Sequence, residues 1–345
     1  MLLKTFKLKK IYFIIFISIL LLILLSTLVL IKQTCNNFEN ESTNVFNNDY
    51  IKWIDFNATE TILQDTANLD IKSHNENYDI KFNWIELLAY LSSKYYGHLE
   101  TYKKSDLDTL VKKLNFGEKM EEISQGMQNY NYYYKSFSAI LGGFIGEYEI
   151  KNNDTNSYDK KYGLKVFSPI AKGYSYSHYD DFGNSRSYGY KRVHLGNDLL
   201  GSIGTPIIAI ESGYVEACGW NQYGGWRVGI RSFDGLRYYY YAHLKKDHPY
   251  NSEIIEGATV TAGDVIGYLG MTGYSNKENV NNINIPHLHF GLQIIFDPVQ
   301  KDGTNQIWID VYHLINFLRQ NSSAVYYDKD TNDYFRKIDM IDYVE

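Results

Sequence analysis

The 345-residue sequence predicts a mainly β domain, an antiparallel sheet with glycine-rich hairpins, preceded by a small α-helical region and an N-terminal transmembrane helix. Three observations carry that reading. A long apolar run lies near the start of the chain. Apolar residues recur at helical spacing across 78–150. From 162 to 298, short strand-like runs alternate with glycine turns.

Ile11 to Ile31 is a run of 21 residues interrupted only by Ser18, Ser26 and Thr27. A spanning helix needs about 20 apolar residues. Lys4, Lys7, Lys9 and Lys10 precede the run with no acid among them. The positive-inside rule then makes 1–10 a cytoplasmic tail and leaves the rest outside the cell membrane. A cleaved signal peptide has a shorter apolar core, ~7–15 residues, and ends at a small-residue site. Here the run ends in Ile31-Lys32-Gln33-Thr34-Cys35, so an uncleaved single-pass anchor over 11–31 is expected.

Residues 32–77 are rich in Asn, Thr, Asp and Glu and read as a polar stalk. Trp84, Leu87, Leu88, Leu91 and Tyr95 recur at helical spacing. So do Leu107, Leu110, Val111 and Leu114 after Ser105, and Phe137, Ile140, Leu141, Phe144 and Ile145. These predict a small helical domain over 78–150, free to dock a protein partner. The polar stretch 151–161 reads as a linker. Beyond it, Thr205–Ile210, Arg227–Arg231, Leu236–Leu244 and Val265–Leu269 read as strands bounded by glycine turns. Trp308–Leu318 reads as one helix, and 299–345 as a C-terminal helix with an acidic tail.

Lys and Arg total 34 and Asp and Glu 40. The four lysines before the anchor leave 30 basic against 40 acidic groups in the rest of the chain. A body that acidic excludes nucleic acid as a partner, because phosphate binding needs clustered Lys and Arg. Two cysteines, Cys35 and Cys218, exclude a disulfide scaffold, and their spacing gives no support for a pair.

Histidines carry the chemistry. In His287-Leu288-His289 the two imidazoles stand at i and i+2, the same face of a strand. His194 and Asp198 are four apart, with Gly196 between them permitting a tight turn, and His243 ends the aromatic strand Tyr238–Tyr241. Each feature alone fits a solvated face equally well. Together they offer zinc a carboxylate and imidazoles, and a catalytic zinc takes three protein ligands and leaves one position for water. Two histidines then remain for proton work.

This set resembles the lysostaphin/LytM-type zinc metallopeptidases, endopeptidases of bacterial cell walls. In that family a His-x-x-x-Asp motif and the second His of a final His-x-His hold zinc. The resemblance covers about 162–298 and includes Phe182-Gly183, Gly204-Thr205-Pro206 and the glycine-bounded stretch Gly257 to Gly267. It implies His194, Asp198 and His289 as metal ligands and His243 and His287 as the catalytic pair, with the choice of base open. Peptidoglycan peptides are the implied substrate. The alternative is a non-enzymatic envelope scaffold of the same fold. One departure is Gly291, where the family often has an acid.

Tyr188 and Tyr190 are candidates to hold an oxyanion, and Arg186 and Arg192 to bind a substrate carboxylate bidentately. Trp220, Trp226 and alternate members of Tyr238–Tyr241 are candidates to line a groove. If His243 and His287 titrate near an ordinary imidazole, activity falls below about pH 6.

Overall fold

In the computed structural model, which describes residues 50–343 apart from 153, 189 and 304, the chain builds seventeen strands. They are β1 (Ile145–Lys151), β2 (Tyr158–Leu164), β3 (Tyr176–His178), β4 (Ser185–Tyr188), β5 (Tyr190–Val193), β6 (Asn197–Gly201), β7 (Pro206–Ile208), β8 (Gly213–Asn221) and β9 (Gly225–Ser232). After them come β10 (Arg237–Ala242), β11 (Thr259–Val260), β12 (Val265–Tyr268), β13 (His287–Ile294), β14 (Ile307–Ile309), β15 (Val325–Asp328), β16 (Asp333–Arg336) and β17 (Met340–Asp342). The apolar run 11–31 lies outside the described residues. Among those described, no helix is long and apolar enough to cross a membrane.

The main sheet runs β11-β8-β9-β10-β13-β6-β3, with β14 on the second half of β13. Every pairing in it is antiparallel. Period-2 alternation sorts its side chains. Tyr239 and Tyr241 point into the core with Phe290, Leu288 and Ile230, all nearly inaccessible. The intervening positions of β10 and β13 (Tyr238, Tyr240, His289 and Gln293) fall on the opposite face. That face is the floor of the site.

The helical part is larger than its periodicity predicts. Residues 60–75, read above as stalk, form a helix, Glu60–Asn75, that buries Ile62, Leu63, Thr66 and Ala67. Its outward face is polar enough to mask the signal. Asp70 ties it down: the buried carboxylate accepts from Trp84 N at 2.9 Å and from the Tyr162 hydroxyl at 2.8 Å. The next helix, Trp84–Lys94, is capped by Asn83, whose Oδ1 accepts from Ile85 N and Glu86 N. Lys104–Asn115 and Tyr130–Leu141 follow.

Three further expectations are corrected. The stretch 151–161 runs from the end of β1 through the hairpin turn into β2 and is not a linker, with Lys151 opposite Tyr158. Trp308 lies in β14, and the helix begins only at Tyr312, because Asp310 Oδ1 accepts from Tyr312 N and Asn197 Oδ1 accepts from Val311 N. The acidic tail is structured: β15 and β16 form a hairpin, and β17 pairs with β1.

A buried charge cluster joins the helices to the sheet. Arg237 donates to Glu211 from Nε at 2.7 Å and Nη2 at 2.8 Å, and from Nη1 to the Ala139 carbonyl at 2.7 Å. The Tyr239 hydroxyl adds a hydrogen bond to Glu211. Removing one partner of such a pair strands the other charge, at about 3–5 kcal/mol. Glu211→Gln is expected at the lower end, about 3 kcal/mol, because Asp234 still faces Arg237 at 2.7 Å. Urea unfolding of the two proteins checks this.

Candidate metal centre and groove

Asp198 and His289 are directly opposite each other across the β6–β13 ladder, so sheet register alone brings carboxylate and imidazole together. His194 arrives from the loop before β6. Its Nε2 lies 2.8 Å from His289 Nδ1 and 3.1 Å from Asp198 Oδ1, and His289 Nδ1 lies 3.3 Å from the same oxygen. Gly196 makes room for this. A Cβ there would stand 2.4 Å from the Phe290 carbonyl oxygen and 2.8 Å from His289 Cε1.

The donor set fits a metal. His194 Nδ1 lies 3.0 Å from the Asp181 carbonyl oxygen, which can only accept. A proton given to that carbonyl leaves the Nε2 lone pair turned toward the cluster, and Arg186 Nη2, 3.1 Å from the same Nδ1, donates instead to Asp181 and Asp198. Ligands at ~2.0–2.1 Å around a tetrahedral ion stand about 3.3 Å apart, and the three donor separations, 2.8, 3.1 and 3.3 Å, reach or approach that spacing. Among the described residues, His194, Asp198 and His289 form a group able to hold a metal ion.

Electrostatics favour the ligating forms. Burial alone pushes the Asp198 carboxyl up. Hydrogen bonds from His194 and His289 and the charges of His289 and His287 outweigh it and hold Asp198 far below the usual carboxylate range. Burial pushes His289 down, toward the neutral imidazole a metal needs. Burial, then the charge of Asp198, push Asp181 up.

Two more imidazoles border the triad. His243 is 5% exposed and sits at a left-handed φ of 64° just past β10. Its Nδ1 is 2.9 Å from the Thr272 carbonyl oxygen. His287 Nδ1 is 2.8 Å from the Ile285 carbonyl oxygen. Each proton is thereby fixed on Nδ1, and each Nε2 is free as an acceptor. The two rings are 4.8 Å apart, and His287 Nε2 is 3.7 Å from Asp198 Oδ1. Burial, then the neighbouring His287 and His289, hold His243 well below the ordinary imidazole range. The expectation of an acid limb near pH 6 does not hold for this residue.

The remaining predicted residues separate. Arg186 pairs with Asp181 and with Asp198 Oδ2 at 3.2 Å, so it braces the ligands and is not open to substrate. Arg192 lines the groove, stacked against the Tyr223 and Tyr274 rings at 4.9 Å each. Tyr188 and Tyr190 oppose each other in β4–β5, and their side chains lie outside the described residues. Tyr238, Tyr240 and Trp308 line the groove with His194, His243 and His289. Trp226 instead donates from Nε1 to Asn279, pinning the loop 276–285. Gly291 is required where it stands: a Cβ there would lie 2.8 Å from the Trp308 ring. Cys218 is a free thiol, and Cys35 lies outside the described residues.

Asp181 and Thr272 were missed by sequence reasoning. Both meet a ring nitrogen through a backbone carbonyl, which leaves no mark in residue type. His178 belongs elsewhere, 3.3 Å from Asn316 Oδ1 and against Tyr312. Burial pushes it down to about 4. The unfolded chain therefore takes up a proton near pH 6.5 that the folded chain refuses until about pH 4. Stability from this residue is full above pH 6.5 and is lost as pH falls through that window, up to about 3 kcal/mol. His178→Gln is expected to flatten the decline, as read by urea unfolding at pH 7, 5.5 and 4.

Comparison with known proteins agrees with this geometry. Residues 192–302 match Peptidase family M23. The L-Ala–D-Glu endopeptidase of Bacillus subtilis is 33% identical over 180 residues, 52% of this chain and 51% of that protein. Lysostaphin of Staphylococcus staphylolyticus is 41% identical over 99 residues, 28% of this chain and 18% of that protein. The chain thus spans about half of the first relative and less of the second. The crystal structure of a candidate glycyl-glycine endopeptidase LytM from Ruminococcus gnavus shares the fold, with a TM-score of 0.50 and 22% identity over 77% of this chain and 89% of that one. Residues 192–302, which carry His194, Asp198 and His289, thus match a peptidase family M23 domain and are similar to the lysostaphin/LytM type.

Proposed function

We propose that the chain is a membrane-anchored zinc endopeptidase that hydrolyses peptide bonds of bacterial peptidoglycan. One observation carries the reading: three metal-fitting donors and two further imidazoles, each with Nδ1 committed to a carbonyl, cluster beside one groove that His194, His243 and His289 line. His194, Asp198 and His289 hold the ion. Bound zinc supplies Lewis acidity, polarising a carbonyl and lowering the pKa of water to about 7. Held neutral by burial, His243 accepts a proton at Nε2 from the attacking water. His287, its Nε2 likewise an acceptor, orients that water from across the cluster, and the proton taken up by His243 passes on to the leaving amine. Tyr240 and Trp308 seat the peptide along β10 and β14.

The anchor is the run 11–31, with the catalytic domain outside the membrane, supported by its length and the four lysines before it. Relatives are named for an L-Ala–D-Glu bond and for a glycyl-glycine bond, so either a stem peptide or a bridge is the scissile element. The scaffold alternative lacks a lost ligand to rest on. The test is digestion of purified wall with mass analysis of the new termini. Activity is expected to vanish with a chelator and return with zinc. Intact wall after incubation with zinc-loaded protein would refute the reading.

A further inference from the structure

We propose that Arg227, with Arg192, forms a carboxylate-binding subsite in the groove beside the metal centre, so that the substrate peptide carries a free carboxylate within about three residues of the bond cleaved. This rests on the endopeptidase reading above.

Charge accounting within the groove points there. The cavity, of about 570 Å³, is lined by three cations, Arg192, Arg227 and Lys301, and two acids, Glu216 and Asp302. Both acids are already taken. Lys301 Nζ lies 3.4 Å from Glu216 and 3.7 Å from Asp302, and Arg231 Nε lies 2.5 Å from Glu216. Arg192 and Arg227 have no acid partner, and Nη1 of each is buried without a hydrogen bond among the described residues. In a chain of net charge −6, the groove thus keeps two uncompensated guanidiniums. A half-buried cation with no counter-ion is costly, and a ligand carboxylate removes the cost while accepting bidentately. Gln293 adds an acceptor. Its Nε2 is used by the Gln300 and Lys301 carbonyls, while its buried Oε1 has no partner. By register Gln293 is level with Arg231, four residues along from Arg227, so it serves the same groove at a separate point.

Register sets the distance. Val228 pairs with Tyr241, which puts Arg227 level with Ala242, and Ala242 pairs with His289. Arg227 and His289 therefore share one face, two strand spacings of about 4.8 Å apart. At about 3.4 Å per residue an extended peptide covers that span in about three residues. Sequence reading had Arg192 as a candidate; Arg227 gave no signal, since it lies in an ordinary strand.

The test uses paired synthetic peptides containing an L-Ala–D-Glu bond, with the free carboxylate of D-Glu intact or converted to its carboxamide. Zinc-loaded wild type is expected to prefer the carboxylate in kcat/KM by about 10–100-fold, the range of a charge-assisted pair. In Arg227→Gln the ratio is expected to fall to below about 3, with Arg227→Lys between, because an ammonium lacks the fork. The same preference is expected in calorimetric binding of uncleavable analogues with the scissile amide N-methylated. Equal affinity of wild type for both analogues overturns the subsite. So does an Arg227→Gln loss that is the same for both peptides. Selective binding by a protein that cleaves neither peptide supports the subsite and counts against the endopeptidase reading, so the two failures are distinct.

Discussion

His289→Ala is expected to lose the metal and, with it, activity on wall peptide by more than about 10³-fold. The ring nitrogen removed is one of three donors that stand 2.8–3.3 Å apart. Asp198 and His194 alone leave two positions to solvent. Lewis-acid stabilisation amounts to several kcal/mol, and each 1.36 kcal/mol is tenfold in rate, so a loss of about 4 kcal/mol accounts for that factor. The fold should survive, because His289 faces the groove while its neighbours Leu288 and Phe290 fill the core. Metal content by plasma mass spectrometry, hydrolysis rate and thermal midpoint are measured on one preparation. His98→Ala, an exposed histidine whose ring meets Glu100 among the described residues, serves as the control and should change none of the three. Stoichiometric zinc retained in His289→Ala would falsify the ligand assignment.

Much of this site was legible because strand geometry is periodic. Two imidazoles at i and i+2 share a face whatever the tertiary context, and a His and an Asp four apart across a glycine turn have few ways to diverge. Alternation likewise sorted Tyr238 and Tyr240 from Tyr239 and Tyr241. Other features had no such handle. The helix Glu60–Asn75 hides behind a polar outer face, and what fixes it is one buried carboxylate, Asp70, whose partners lie 14 and 92 residues away. The split between β14 and the helix at Tyr312 depends on a distant side chain, Asn197, reaching Val311 N. Arg186 looked like a substrate ligand because residue type does not say which carboxylate an arginine meets; here they are Asp181 and Asp198. The structured tail was missed for the reverse reason. Its strands are short, half-exposed and polar, and only pairing with β1 or with one another makes them strands.

His243→Ala and His287→Ala are expected to keep zinc and lose about 10²–10⁴-fold in turnover, the contribution of a positioned general acid or base. Neither ring nitrogen belongs to the donor triad, and both Nδ1 atoms are committed to backbone carbonyls, of Thr272 and Ile285. That fixes each tautomer and sets each Nε2 to receive a proton. The pH profile separates the two residues. His243 is pushed well below the ordinary imidazole range by burial and by His287 and His289. A base of lowered pKa stays competent as pH falls through 6.5 and is lost only when protons reach its own, lower value. Any acid limb assigned to His243 therefore lies below pH 6.5, not at it. Bound zinc, turnover and the acid limb are followed on the same samples from pH 8 to 5. The roles stand if zinc stays bound while turnover drops in both variants. They fail for whichever variant loses its metal, because that imidazole would then be a ligand and not a proton carrier.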